Sequence, residues 1–114
     1  MNAAKIVFAG TPNFALASLR ALVAAGSIPV AVLTQPDRPA GRGKKIKLSA
    51  VKTYSMEKNI PVLQPNRLKN SQFIATIAAM QPDIMVVSAY GLIIPKVLLD
   101  LPRHGCVNVH ASLL

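Results

Sequence analysis

Short, continuously apolar segments that alternate with helical segments are the feature that most restricts the fold of this chain. The segments KIVFAG (5–10) and PVAVLTQ (29–35) are rich in branched side chains, and TPNFALASLRALVAAG between them repeats apolar residues at helical spacing. Strands that are apolar at nearly every position are typical of parallel sheets covered on both faces. The pattern therefore predicts a strand, a crossover helix and a second, parallel strand, with Thr11 capping the helix and Gly26 ending it.

The same alternation continues along the rest of the sequence. Helices are predicted over about 50–58 and 71–80, with a short helical piece in PKVLLDLP, and strands are predicted in IPVLQ, DIMVVSAY and GCVNVH. A length of 114 residues suits one domain. We therefore predict an α/β fold with a Rossmann-like, doubly wound and mainly parallel sheet that has helices on both faces.

Positive charge is concentrated in one segment of the chain. The sequence has 13 Lys and Arg residues against 4 Asp and Glu, a formal net charge of +9. Six of these bases fall between Arg38 and Lys52 with no acid among them, largely within PDRPAGRGKKIKLS, which its prolines and glycines predict to be a long loop. A local excess of one sign favours a polyanionic partner, either nucleic acid or a phosphorylated substrate, over an ordinary solvated loop.

Cysteine usage and hydropathy narrow the protein class. The single cysteine, Cys106, cannot form an internal disulfide and is predicted to be a small buried residue, whereas His104 is predicted to lie on the surface. No Cys and His spacing resembles a zinc site, and no apolar run reaches the ~18 residues of a membrane span. We expect a soluble, cytoplasmic protein that binds no metal and does not enter a membrane.

Two polar side chains in the last predicted strand are candidates for a catalytic site. Asn108 and His110 are one residue apart, so the alternation of a strand puts them on the same side. An amide can donate a hydrogen bond to a developing oxyanion, and an imidazole can move a proton near neutral pH. Ligands bind at the carboxyl ends of parallel strands, where FAGTPNF and SAYGLIIP also lie. A satisfied polar pair at a sheet edge, and a simple glycine turn in FAGTPNF, are the alternative interpretations.

Five segments, in order along the chain, resemble the methionyl-tRNA formyltransferases: FAGTPNFA, TQPDRPAGRGKK, PVLQP, PDIMVVSAYGLIIPK and GCVNVHASLL. The resemblance implies transfer of a formyl group from 10-formyltetrahydrofolate to the amino group of methionyl initiator tRNA. It implies that Asn108 stabilises the oxyanion and that His110 assists charge and proton transfer. The residues it places along the folate are Tyr90, Gly91, Leu92, Ser112, Leu113 and Leu114. The residues it places at the acceptor end of the tRNA are Arg38, Arg42, Lys44 and Lys45.

The resemblance also implies that residues 1–114 are the N-terminal part of the formyltransferase domain of a monomeric enzyme. The family's catalytic aspartate and its C-terminal tRNA-binding barrel have no counterpart in this sequence, so we expect the chain by itself to be inactive or nearly so. Leu92 and Ile93 have a second interpretation as core residues. Two other functions remain open, a non-catalytic RNA-binding module that uses the basic loop and a formyltransferase that acts on a nucleotide sugar.

Replacement of Arg42 tests the assignment of the basic loop to tRNA. We expect Arg42→Ala to weaken use of the tRNA far more than binding of the folate, because the resemblance places this side chain at the acceptor stem only. Steady-state kinetics with each substrate varied in turn measures both effects. Equal losses for the two substrates would contradict the assignment.

Overall fold

The computed structural model describes residues 4–11, 13–40 and 45–109, and its centre is a five-stranded parallel sheet. The strands of these residues, in chain order, are β1 (Ile6–Gly10), β2 (Ala31–Leu33), β3 (Arg38–Ala40), β4 (Lys45–Lys47), β5 (Val62–Leu63), β6 (Ile84–Ser88) and β7 (Cys106–Asn108). The sheet has the order β5-β2-β1-β6-β7, and every neighbouring pair is parallel. The predicted doubly wound, mainly parallel sheet is confirmed.

Helices cover both faces of the sheet. They are α1 (Asn13–Ala24), α2 (Ala50–Glu57), α3 (Ser71–Met80) and α4 (Lys96–Leu99). Side-chain oxygens cap two of them, since Ser49 accepts from the amide of Lys52 at 3.1 Å and Asn70 accepts from that of Phe73 at 2.9 Å. Gly26, with φ of 83°, follows the end of α1 as the sequence predicts. No helix in the described part of the chain is long and apolar enough to cross a membrane.

Strand β1 is buried at every residue because helices cover both of its faces. Ile6 and Phe8 belong to the core beneath α1 and α2, whereas Val7 and Ala9 belong to the core beneath α3 and α4. The helices complete these cores with fully buried side chains: Leu19, Val51, Ile77 and Leu98. Each large apolar side chain buried in this way contributes about 1.5–3 kcal/mol relative to exposure, so β1 anchors the sheet.

A β-hairpin lies within the basic segment, where the sequence predicts a loop. Strands β3 and β4 pair antiparallel, with Arg38 opposite Lys47 and Pro39 opposite Ile46. We call the ribbon of β3 and β4 the basic hairpin; residues 41–44 between the two strands lie outside the described residues. Proline is confined to edge strands in a sheet, and a two-stranded ribbon has only edge strands. Pro39, which contributes to the prediction of a loop, is therefore compatible with this ribbon.

Cys106 is exposed, which corrects the prediction of a buried residue. It begins β7, which forms one edge of the described sheet, so no further described strand shields it. Its thiol donates a weak hydrogen bond to the carbonyl oxygen of Leu99 at 3.5 Å. Partial burial and the nearby Asp100 carboxylate raise its pKa, which disfavours the reactive thiolate. His104 is exposed, as predicted.

Replacement of Gly10 by alanine tests how closely β1 packs at its end. An added Cβ would lie 2.8 Å from Ala15 Cβ, 2.8 Å from the carbonyl oxygen of Ser88 and 2.9 Å from Phe8 Cε2. We expect Gly10→Ala to lower the free energy of unfolding by about 1–3 kcal/mol, the usual cost of overpacking a core. Urea denaturation measures the change.

The sign of the change in the free energy of unfolding distinguishes a crowded Gly10 from one with free space around it. At a glycine without a positive φ and with free space, alanine usually stabilises a protein by about 0.4–1 kcal/mol, because the unfolded chain loses freedom. An unchanged or raised free energy of unfolding for Gly10→Ala would therefore contradict the close packing around this residue.

Candidate functional site

The carboxyl ends of the strands meet along one edge of the sheet because all five strands are parallel. The chain proceeds outward from β1 to β2 and β5 on one side, and from β6 to β7 on the other. The strand order therefore reverses between β1 and β6, and ligands of open α/β sheets bind at such a point. The residues at this edge are Thr11 after β1, Gln35 after β2, residues 89–92 after β6 and Asn108 at the end of β7.

A cleft of about 380 Å³ opens beside the ends of β6 and β7, and we call it the Asn108 cleft. Asn108 is exposed in its wall, and residues 90–92 lie in the same wall. The structure thus brings together Asn108, Tyr90, Gly91 and Leu92, which the sequence assigns to one site. The other residues of that assignment lie outside the described residues: His110, Ser112, Leu113 and Leu114.

Tyr90 contributes its backbone to this edge and not its side chain. The ring is 2% exposed and lies in the core beneath α3 and α4. Ala89 has φ of 52°, which breaks the alternation of the strand and turns the next side chain inward. Burial raises the pKa of the phenol, and its oxygen has no hydrogen-bond partner within the described residues. The Tyr90 side chain is therefore not a cleft contact.

Leu92 and Ile93 are surface residues of the cleft. Leu92 is 50% exposed and Ile93 is 94% exposed, and both line the Asn108 cleft. The alternative interpretation of this pair as core residues is therefore wrong. Apolar side chains held this far out of the core form a surface to which a flat, partly apolar ligand can bind.

Thr11 joins three strand ends through its hydroxyl group. The hydroxyl donates to the carbonyl oxygen of Tyr90 at 3.1 Å and accepts from the backbone amide of Gln35 at 3.1 Å. The buried hydroxyl of Thr34 lies 3.3 Å away and donates to it as well. The sequence predicts a helix cap at Thr11, but the convergence of β1, β2 and β6 directs this oxygen to the neighbouring strands.

Gln35 extends this polar network towards the basic hairpin. Its side-chain nitrogen donates to the carbonyl oxygen of Tyr90 at 2.9 Å, and its side-chain oxygen accepts from Arg38 Nη2 at 2.8 Å. Gly91 leaves room for the amide group, because a Cβ at that position would overlap Nε2 of Gln35. Gly91 also has φ of 97°, a conformation that favours glycine.

Asp37 fixes the base of the basic hairpin. Its carboxylate accepts from Lys52 Nζ at 2.6 Å and from Gln64 Nε2 at 2.8 Å. The hydrogen bond from Lys52 and then that from Gln64 lower the pKa of Asp37. The sequence groups Lys52 with the basic loop, but its charge is neutralised within the chain and its side chain is only 17% exposed.

The charge that remains on the described part of the hairpin is unbalanced. Arg38 and Lys47 lie directly opposite each other in the ribbon, where like charges are destabilising, and both are exposed. They also line a second cleft of about 400 Å³, together with Thr11 and Gln35, and we call it the hairpin cleft. Of the other predicted tRNA contacts, Arg42 and Lys44 lie outside the described residues, and Lys45 is described only as part of β4.

Gln35 and Gln64 are not among the predicted site residues, although the sequence contains a signal for both. Each is the polar residue that ends an apolar run, in PVAVLTQ and IPVLQ. The rule that ligands bind at the carboxyl ends of parallel strands identifies both residues when it is applied to β2 and β5. Within the described residues, no group of three or more His, Cys, Asp or Glu side chains is placed to hold a metal ion.

Comparison with known proteins finds formyltransferases, both as a family model and as individual relatives. Residues 1–114 match a family model described as formyl transferase. A methionyl-tRNA formyltransferase of Methylococcus capsulatus is 58% identical over 110 residues, which are 96% of this chain and 36% of that protein. A methionyl-tRNA formyltransferase of Stutzerimonas stutzeri is 59% identical over 96% of this chain and 35% of its own length. The chain thus spans about a third of the length of these curated relatives.

The pairing of Asp37 makes stability depend on pH. Because the pKa of Asp37 is lowered in the folded state, its contribution is complete above the unfolded value of about 3.9 and is lost as pH falls from there through the folded pKa. We expect wild type to have a higher urea midpoint than Asp37→Asn at pH 7. The difference shrinks as pH falls below about 4.

Asp100→Asn is the matched control, since its carboxylate pairs with Lys96 on the exposed surface of α4. Exposed pairs of this kind contribute little, so at pH 7 the control has a smaller effect than Asp37→Asn. A difference between wild type and Asp37→Asn that persists unchanged to pH 3 would contradict the role given to this carboxylate.

Proposed function

Because the chain belongs to the formyl transferase family, we propose that it supplies the donor cleft of an enzyme that formylates methionyl initiator tRNA with 10-formyltetrahydrofolate. The observation that carries this proposal is the position of Asn108, which lines one cleft together with residues 90–92 at the carboxyl edge of the sheet. The names of the relatives support the choice of acceptor. We place the reaction in the cytoplasm, where translation begins, and in a monomeric enzyme.

The folate donor lies in the Asn108 cleft in this proposal. Backbone groups of Gly91 and Leu92 offer hydrogen bonds to the polar edge of the pterin, and the exposed side chains of Leu92 and Ile93 pack against its ring system. Tyr90 participates through its backbone, since its ring is buried. Ser112, Leu113 and Leu114 are assigned to the pterin or the formyl-bearing end of the donor.

The chemistry is a transfer of an acyl group between two nitrogen atoms. The methionyl amine attacks the formyl carbon, a carbon–nitrogen bond forms, and the carbonyl oxygen becomes an oxyanion. The side-chain amide of Asn108 donates a hydrogen bond to that oxygen, which stabilises the transition state. The bond to N10 of the folate then breaks, and the proton released by the amine passes to N10 with the help of His110.

The acceptor end of the tRNA binds the basic hairpin. Arg38 and Lys47 face each other with charges of the same sign, and a phosphate between them relieves this repulsion. The other bases proposed to contact the tRNA are Arg42, Lys44 and Lys45. Lys52 takes no part, because Asp37 holds it at the base of the hairpin.

We also propose that residues 1–114 work within a longer polypeptide. The chain spans about a third of the length of its relatives. An aspartate that orients His110 and a barrel that holds the tRNA are features of the family, and both are assigned to the remainder of such a polypeptide. The native protein as the cell makes it is therefore the correct material for an assay.

Substitution of Asn108 tests the proposed reaction. In the native protein, we expect Asn108→Ala to reduce kcat for formyl-methionyl-tRNA formation by about 10²–10³-fold, the usual effect of removing an oxyanion donor. The KM values change little, because this bond strengthens in the transition state. Cys106→Ala is the control, since Cys106 lies on the same side of β7 but does not line the cleft.

Two results would overturn the proposal. Formylation by Asn108→Ala at the wild-type rate would exclude the role of this amide. Binding of tRNA by the wild-type protein without any formyl transfer would favour a non-catalytic RNA-binding module instead.

A further inference from the structure

We propose that Gln35 is a positioning residue of the formyl transfer, because its side chain holds the basic hairpin and the wall of the Asn108 cleft in one fixed relation. The inference rests on the proposed function for the identity of the two substrates. The physical link itself is independent of that function, since it consists of contacts within the described residues.

Gln35 lies between the two clefts of the carboxyl edge. It borders the hairpin cleft together with Arg38 and Lys47. On its other side are Tyr90 and Gly91, which line the Asn108 cleft. A side chain in this place separates the surface proposed for the acceptor from the surface proposed for the donor.

The two ends of the Gln35 amide contact different walls. Its oxygen accepts from Arg38 Nη2 at 2.8 Å, and its nitrogen donates to the carbonyl oxygen of Tyr90 at 2.9 Å. Both distances are those of well-formed hydrogen bonds. The amide group is planar, so a displacement of Arg38 displaces the donor to Tyr90 as well.

The backbone of Gln35 is held in place on both sides of this link. Its amide nitrogen donates to the Thr11 hydroxyl at 3.1 Å, and its carbonyl oxygen accepts from Gln64 Nε2 at 3.2 Å. Because the backbone of Gln35 is held in this way, only its side chain can move in response to a displacement of the basic hairpin. Gly91 confirms how closely this side chain packs, because a Cβ there would overlap Nε2 of Gln35.

The two hydrogen bonds of the Gln35 side chain are expected to affect kcat more than the binding of either substrate. The reacting nitrogen and carbon must approach to about 3–3.5 Å, and a misplacement of about 1 Å can cost about 10²-fold in rate. Arg38 belongs to the surface proposed for the tRNA acceptor. The backbone of Tyr90 and Gly91 lines the Asn108 cleft, which is proposed for the folate donor. Loss of the amide therefore lowers kcat while each cleft still binds its own substrate.

Two substitutions in the native protein separate the two hydrogen bonds. Gln35→Leu removes both, whereas Gln35→Glu keeps an acceptor for Arg38 but cannot donate to Tyr90. We expect each to lower kcat by about ten- to a hundredfold, and Gln35→Glu to leave the KM for methionyl-tRNA close to wild type. Gln72→Leu, at an exposed position of α3, is the matched control and keeps the wild-type kcat.

A double-mutant cycle distinguishes positioning from a general loss of stability. Residues that act as a unit are not additive, so at saturating methionyl-tRNA the kcat of Gln35→Leu combined with Arg38→Met is expected to equal that of Gln35→Leu alone. Loss of the phosphate contact of Arg38 then appears in the KM for the tRNA. Wild-type kcat in Gln35→Glu, or fully additive losses in the double variant, would overturn the positioning role.

A spectroscopic measurement tests the link without any assay of activity. In the ¹⁵N-labelled native protein, Arg38→Met is expected to shift the backbone amide signals of Gly91 and Leu92, and the same substitution in Gln35→Leu is expected to leave them unmoved. Unmoved signals in the first case would overturn the inference, whatever the protein catalyses. If Arg38→Met shifts these signals but the wild-type protein forms no formyl-methionyl-tRNA, the link is supported and the proposed function is rejected.

Discussion

The parallel pairing of β1 with β2 on one side and β6 on the other is the constraint on which the rest of the structure depends. Parallel strands need crossover connections, and these connections place helices over both faces of the sheet. The burial of all five residues of β1 follows from that cover. The meeting of the carboxyl ends also follows from it, so that residues far apart in sequence, such as Thr11 and Tyr90, come within hydrogen-bond distance.

The carboxyl edge of the largely apolar sheet carries a polar network. The carbonyl oxygen of Tyr90 accepts from both Thr11 and Gln35, and Gln64 in turn contacts Gln35 and Asp37. Such a network stabilises a structure when its members are satisfied, and it then fixes one geometry. The Asn108 cleft and the hairpin cleft lie on either side of it. Two clefts that share one rigid boundary keep a constant separation.

Local sequence patterns predict the fold well, because apolar strands and capped helices depend on short-range rules. The resemblance to the family is confirmed, and the positional rule for parallel sheets brings Asn108, Gly91 and Leu92 to one cleft. The inward turn of Tyr90 depends on the positive φ of Ala89, which no pattern in SAYGLIIP announces. The exposure of Cys106 depends on the order of strands in the sheet, and that order is a property of the whole chain.

The division of the interior into two cores has a consequence for how this sequence can change. Alternate residues of β1 serve opposite faces, and the described clusters of buried side chains on the two faces have no member in common. Substitutions on one face are separated from the other by the backbone of the sheet, so their effects on stability add. Each core can therefore accept substitutions independently of the other over evolutionary time. Residues 35 and 91 have to change together, because a Cβ at position 91 would overlap the side chain of Gln35.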